Sequence, residues 1–163
     1  MERPVQEALQ SYEKKLGFPM VAPYGLSEAN AFLLVGDPND PLDLRTFAPG
    51  GRLLGEDKKV KIVSFDSGLP VQEGEMGEIC TKGYHVMMGY YKVPDATKKA
   101  IDPDGWLHTG DMGIQKGDYI YYMGRIKDIL KVHGFTFSPS EVEEVLNHYP
   151  GVEMAQVLGI PVG

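Results

Sequence analysis

Three short segments set hydroxyl, aromatic or charged side chains beside glycines, in the order YGLSEAN (residues 24–30), GWLHTGD (105–111) and GRIKDILKVHG (124–134). Glycine lets a backbone approach a ligand closely, and a charged group in such a loop stays within reach of solvent. In the first segment the flat ring of Tyr24 suits stacking on a purine, and Gly25 turns the chain. The Ser27 hydroxyl suits a phosphate oxygen, and the Glu28 carboxylate suits the Mg2+ that accompanies a triphosphate. In the second segment Asp111 offers two oxygens that accept from two neighbouring hydroxyls at once, as on the 2′ and 3′ positions of a ribose. The third segment concentrates Arg125, Lys127 and Asp128 within GRIKD. Each segment also has a plainer reading. Tyr24 can close a strand with Ser27 capping the next element, Asp111 can bond its own backbone in a tight turn, and GRIKD can be a charged turn between strands.

The elements that would position these segments are short. Val5, Leu9, Tyr12 and Leu16 recur at helical spacing and Gly17 supplies a stop, which predicts a helix over residues 5–16. Residues 18–24, with Pro19 and Pro23, read as a brief strand running into YGLSE. The Asp-, Pro- and Gly-rich stretch 36–55 reads as a surface loop. Residues 58–65, 78–82 and 119–123 have strand character, with a turn at 66–70 and a helix near 96–100. In residues 77–97 (GEICTKGYHVMMGYYKVPDAT), Cys80 reads as a small packed hydrophobe, and Met87, Met88 and the tyrosines as core. Together these predict a small, irregular β-barrel. Beyond Arg125, residues 129–137 read as paired strands. Ser138, Pro139 and Glu141 then form a capping box that opens a helix from Pro139 to about His148. Its apolar face, Val142, Val145, Leu146 and Tyr149, is expected to pack on an apolar strand from Met154 to Ile160. The fold class is therefore α+β: the barrel subdomain, then a truncated α/β subdomain.

The bulk properties narrow the function classes. A chain of 163 residues is short for a two-domain enzyme. Its net charge of -7, with no dense basic run, argues against a nucleic-acid or anionic-membrane surface and for a small-molecule partner. One cysteine excludes an intramolecular disulfide and favours a reducing cytoplasmic setting. No apolar run approaches the length of an integral membrane segment.

The ordered set YGLSE, HTGD and GRIKD resembles the adenylate-forming (AMP-binding) superfamily, specifically the acyl-CoA and aryl-CoA synthetases, and residues 77–97 resemble the fatty acyl-CoA synthetases among them. The resemblance covers essentially the whole chain, which corresponds to about a third of a typical member. It implies a ligase that joins a carboxylic acid to ATP, giving acyl-AMP, and then passes the acyl group to coenzyme A, with Mg2+ bound. By the same resemblance Ser27 and Glu28 are catalytic, Glu28 holds the metal, and Tyr24, Gly25, Ser27, Asp111 and Arg125 bind the nucleotide. Ser27 stands where relatives usually have threonine, and keeps the hydroxyl. Lys127 matches the hinge about which a small C-terminal domain rotates, and lysine there leans away from amino-acid-activating domains. Gly134 matches a loop that lines the pantetheine channel. His133 departs mildly from the pattern, and His108 is assigned no role.

The implied organisation is residues 1–123 as the last part of the large domain, 124–127 as the hinge and 128–163 as the start of the small domain. A glycine-rich, Ser/Thr-rich phosphate loop with a lysine, and a second lysine near the family's C-terminus, are both missing. The chain alone is therefore expected to be an inactive fragment, with Met1 an artificial or misassigned start. The alternatives are a stand-alone truncated nucleotide-binding or interaction module, and a piece of an amino-acid-activating domain. An unpaired edge at residues 152–160 would favour a strand-exchanged oligomer.

Overall fold

A computed structural model describes residues 3–46, 50–132 and 135–160, which divide into two compact units, Met1–Met123 and Gly124–Gly163. Helix α1 (Arg3–Leu16) stops as its periodicity predicts, at Gly17 in the left-handed region (φ 77°), whose N–H bonds to the Glu13 carbonyl. It is followed by β1 (Tyr24–Leu26), β2 (Ala31–Val35), α2 (Leu42–Thr46), β3 (Gly50–Leu53), β4 (Lys59–Val63), β5 (Met76–Lys82), α3 (Pro94–Ala100), β6 (Leu107–Lys116) and β7 (Tyr119–Arg125).

The seven strands form one sheet in the order β1-β2-β3-β7-β6-β5-β4. This order leaves two edges, so the described sheet is open and does not close into the expected barrel. Strand β3 joins its two halves: Gly50 and Gly51 pair with Tyr121 and Ile120 of β7, whereas Arg52 and Leu53 pair with Val35 and Leu34 of β2. The core is Tyr24, Leu33, Leu34, Ile62, Ile79 and Ile120. Neighbouring strand residues point to opposite faces, yet Leu33 and Leu34 are both fully buried, as are Ile79, Cys80 and Thr81, so both faces of β2 and β5 are covered.

Three expectations change here. Residues 36–55 contain α2 and β3 instead of a single loop, and residues 18–23 form no strand. Met88, Tyr84 and Tyr91 are exposed instead of core, because the chain between β5 and α3 is not drawn into the sheet. At the outer edge, β4 is flanked by a turn that folds back along it: the Ser64 N–H donates to the Leu69 carbonyl (2.9 Å), the Val71 N–H to the Ile62 carbonyl (3.0 Å), and Val63 bridges Pro70.

Glu13 ties α1 to α2. Its carboxylate accepts from the Arg45 guanidinium and from the Met20 N–H (2.6 Å), while Arg45 also donates to the Asp40 and Met20 carbonyls. The hydrogen bond from Arg45 holds the Glu13 carboxyl below its ordinary range. A depressed carboxylate contributes stability that is fully present above its unfolded pKa, about 4.3, and is lost as pH falls through the lower folded value. Amide protection in α1, corrected for the intrinsic exchange rate, should therefore fall on acidification below about pH 4, and Glu13→Gln should be loose already at neutral pH. An α1 equally protected at neutral and acid pH would refute this.

The second unit contains the expected hairpin, β8 (Leu130–Val132) and β9 (Phe135–Phe137), paired from Leu130↔Phe137 to Val132↔Phe135. Helix α4 (Pro139–Asn147) starts at proline, as the sequence indicates. The expected strand Met154–Ile160 is absent: the N–H groups of Ala155 and Val157 are taken by Asn147 Oδ1 (2.6 Å) and Glu143 Oε1 (2.9 Å) of α4. Without that strand, Val145, Leu146 and Tyr149 stay exposed, and the edge invoked for strand exchange does not form. Among the described residues no helix is long and apolar enough to cross a membrane.

Candidate functional site

The site is built where β6 meets β5 and β1. Between the pairs Glu78↔Met112 and Cys80↔His108, one residue of β5 (Ile79) faces three of β6 (Thr109, Gly110 and Asp111). Extra residues on one strand of an antiparallel pair bend that strand and re-aim its side chains. Gly110 supplies the positive φ, 72°. The polar groups loosened by the bulge are satisfied by side chains. The Thr109 hydroxyl donates to the Ile79 carbonyl (2.7 Å) and accepts from the Asp111 N–H (3.1 Å). The Gly110 N–H donates to Glu78 Oε1 (3.0 Å), and Glu78 Oε2 lies 2.8 Å from His108 Nδ1.

The bulge carries Asp111 to Tyr24, whose hydroxyl donates to Asp111 Oδ2 at 2.8 Å. Both are deeply buried, with Tyr24 5% and Asp111 2% exposed. Burial pushes the Tyr24 phenol well above its ordinary value, and the Asp111 charge adds to the shift, so the group stays a donor. The Tyr24 ring stacks on Tyr122, centroids 5.4 Å apart and planes 27° from parallel. Two residues picked out separately in the sequence thus form one hydrogen-bonded pair, closed over in this conformation.

The rest of YGLSE follows Tyr24 directly. Gly25 is exposed in β1, and residues Ser27–Ala29 make a single 3-10 turn that packs against β6 and ends at Asn30 in the left-handed region (φ 53°). The Ser27 side chain faces solvent, and the half-buried Glu28 accepts from the Tyr90 hydroxyl at 2.8 Å. That bond raises the Tyr90 phenol above its usual range. Arg125 and Lys127, both exposed, belong to the second unit: Arg125 ends β7 and Lys127 sits in the 3-10 turn Ile126–Asp128. Gly134 and His133 lie outside the described residues.

Glu78 was not singled out in the sequence. Its contribution depends on the β5–β6 register, which places it beside Gly110, 32 positions away. Only the acid itself, between Gly77 and Ile79 in the strand, is a local signal. Glu78→Ala would remove the acceptor of the half-buried Gly110 N–H and one of two contacts of His108 Nδ1, which keeps Cys80 Sγ at 3.5 Å, at about 0.5–1.5 kcal/mol. The Gly110 and Asp111 amides should then exchange at least tenfold faster than the neighbouring β6 amides. Unchanged exchange at both would show that the carboxylate does not hold the bulge.

Comparison with known proteins adds four findings. Residues 1–91 match the family of AMP-binding enzymes, a span that holds YGLSE and stops short of Asp111 and Arg125. YngI of Bacillus subtilis (strain 168), provisionally named an acyl-CoA synthetase, is 41% identical over 157 residues, covering 95% of this chain and 28% of YngI. The sulfoacetate–CoA ligase of Cupriavidus necator is 35% identical over 158 residues, 93% of this chain and 29% of that protein. Among solved structures, ATP-bound MatB from Rhodopseudomonas palustris superposes with a TM-score of 0.82 at 28% identity, over 96% of this chain and 30% of MatB. The chain therefore spans less than a third of the length of these relatives.

Proposed function

Because the chain belongs to the AMP-binding enzyme family, among the adenylate-forming enzymes, we propose that it forms part of the nucleotide site of a CoA ligase. This ligase activates a carboxylic acid with ATP and transfers the acyl group to coenzyme A. The supporting observation is the buried Tyr24–Asp111 pair beside the Glu28 turn, in a chain whose relatives carry CoA-ligase names. In such a reaction a carboxylate oxygen attacks the α-phosphorus of ATP and pyrophosphate leaves. The thiol sulfur of coenzyme A then attacks the acyl carbonyl, losing its proton, and AMP leaves.

Within that scheme the Asp111 carboxylate accepts from the ribose hydroxyls, and the Tyr24 hydroxyl fixes its rotamer. Since both groups are closed over here, nucleotide binding has to uncover them. Ser27 faces outward, where its hydroxyl can meet a phosphate oxygen. Glu28 fits Mg2+, which is commonly held by one or two carboxylates together with substrate phosphates. The metal would neutralise phosphate charge, and Tyr90 would orient the carboxylate. Arg125 would meet the ribose-phosphate region, Lys127 would be the hinge between residues 1–123 and a small domain beginning at 128, and the Gly134 loop would line the thiol channel. The 163 residues contain no glycine-rich, lysine-bearing phosphate loop, so the isolated polypeptide should not adenylate by itself.

Pyrophosphate exchange by the whole protein, assayed with fatty, aryl and amino acids, tests the reading. Exchange that depends on a fatty or aryl acid, followed by thioester formation with coenzyme A, is expected. Exchange with amino acids alone, or none with any acid, would overturn it.

A further inference from the structure

We propose that Glu78, Cys80 and His108 form a binding site for a borderline divalent cation of the Zn2+ class, clamped across β5 and β6. The inference is independent of the nucleotide reading. Their donor atoms, a carboxylate oxygen, the Sγ and a ring nitrogen, all lie within 4.8 Å of one another. Glu78 and Cys80 are two apart on β5 and so share a face, and Cys80 is the register partner of His108 on β6.

The spacing suits a tetrahedral ion. With metal–nitrogen and metal–sulfur bonds of about 2.0 and 2.3 Å, a tetrahedral nitrogen–sulfur edge measures about 3.5 Å and a nitrogen–oxygen edge about 3.3 Å. Cys80 Sγ lies 3.5 Å from His108 Nδ1, and Glu78 Oε2 lies 2.8 Å from it. Of the three edges, the nitrogen–sulfur one is in place, the nitrogen–oxygen one opens by about half an ångström, and the sulfur–oxygen pair lies within 4.8 Å. Glu78 Oε1 meanwhile keeps the Gly110 N–H, so ligation by Oε2 leaves the bulge intact. On the far side of the ring, His108 Nε2 lies 3.9 Å from Asp102 Oδ2, beyond hydrogen-bond length, so this carboxylate has to close by about 1 Å to orient a metal-bound imidazole.

The donor set selects the metal class. Sulfur and nitrogen donors favour zinc-like ions over Mg2+, which takes oxygen. A thiolate and a carboxylate neutralise a divalent charge, which matters in a pocket where Cys80 is fully buried. Burial, reinforced by Glu78, pushes the Cys80 thiol up to about 12, so without metal it is protonated, and binding transfers that proton to solvent as the metal–sulfur bond forms. His108, about a third exposed, leaves a fourth position open to water. Lys61 pairs with Cys80 from β4, but its ammonium is drawn over the Trp106 ring, 4.3 Å from the centroid.

The test is Co2+ and Zn2+ titration of the intact, reduced, tag-free protein. One Co2+ per chain with a thiolate-to-cobalt charge-transfer band and the strong visible bands of a tetrahedral ion is expected, displaced by Zn2+ and accompanied by a higher Tm. Cys80→Ser should abolish the charge-transfer band, and His108→Gln and Asp102→Asn should each weaken binding at least tenfold. X-ray absorption of the unmutated Zn2+ form should show one sulfur at about 2.3 Å. A metal shell without sulfur, or equal affinity in Cys80→Ser and the parent, would overturn the proposal, whether or not the other variants fold.

Discussion

Asp111→Asn in the whole enzyme is expected to lower kcat/KM for ATP by about ten- to a hundredfold, the equivalent of losing one charge-assisted hydrogen bond of about 1.5–3 kcal/mol. Asparagine keeps the shape and one acceptor oxygen, but it replaces the second oxygen with a donor that repels the ribose hydroxyl protons. The Tyr24 hydroxyl can still donate to the remaining oxygen, so the thermal midpoint should move little. The diagnostic readout is discrimination between ATP and 2′-deoxy-ATP, which should shrink in the variant. If that discrimination is undiminished, Asp111 does not grip the ribose. Tyr24→Phe should act differently. It removes the Tyr24 hydrogen bond from a buried carboxylate, at a cost of about 1–3 kcal/mol in folding stability, and the two substitutions combined should be non-additive because they share one bond.

Gly51→Ala should unfold the first unit or come close to it. A Cβ at that position would sit 2.1 Å from the Val35 carbonyl oxygen and 2.2 Å from its carbon, on a residue whose φ of 135° already excludes most side chains. Backbone of β2 cannot yield as the tip of a flexible side chain can, so the expected loss exceeds about 4 kcal/mol. Gly110→Ala is the control. Its φ is also positive, at 72°, but nothing lies within 4 Å of the added carbon, so the strain alone should cost about 1–2 kcal/mol. Urea unfolding of the two variants distinguishes overlap from strain. Equal losses would show that the close approach at Gly51 relaxes.

That glycine also shows where the sequence was readable and where it was not. Periodicity and end signals located α1, α3, α4, β4, β5, β7 and the β8–β9 hairpin, because Gly17 and Pro139 act locally and strand alternation is a short-range pattern. Gly50 and Gly51 read as loop, since glycine usually marks a turn. Here it admits two backbones that approach too closely for a side chain, a fact belonging to β2 and β7. Strand β2 was missed for a related reason: AFLLV is apolar on both faces, which removes the alternation. Met88 and Tyr91 look like core by type, yet they lie in a segment that no strand recruits. At the site, Tyr24 and Asp111 were legible singly from their glycine neighbours. Their mutual bond, and the part taken by Glu78, depend on register across 87 and 32 positions, which no local pattern encodes.

The turn that folds back along β4 bears on how the protein behaves at high concentration. An outer strand with open N–H and C=O groups is a template on which like molecules stack into aggregates. Here the Ile62 carbonyl is already occupied by Val71, Pro70 brings no N–H to the edge, and Lys59 and Lys61 alternate along KVKIV. A second molecule adding at this edge would have to displace the turn and bring its own lysines beside these. The Ile62–Val63 end of β4 is thereby shielded from intermolecular β-stacking, a form of protection written into backbone hydrogen bonds and not into surface charge alone.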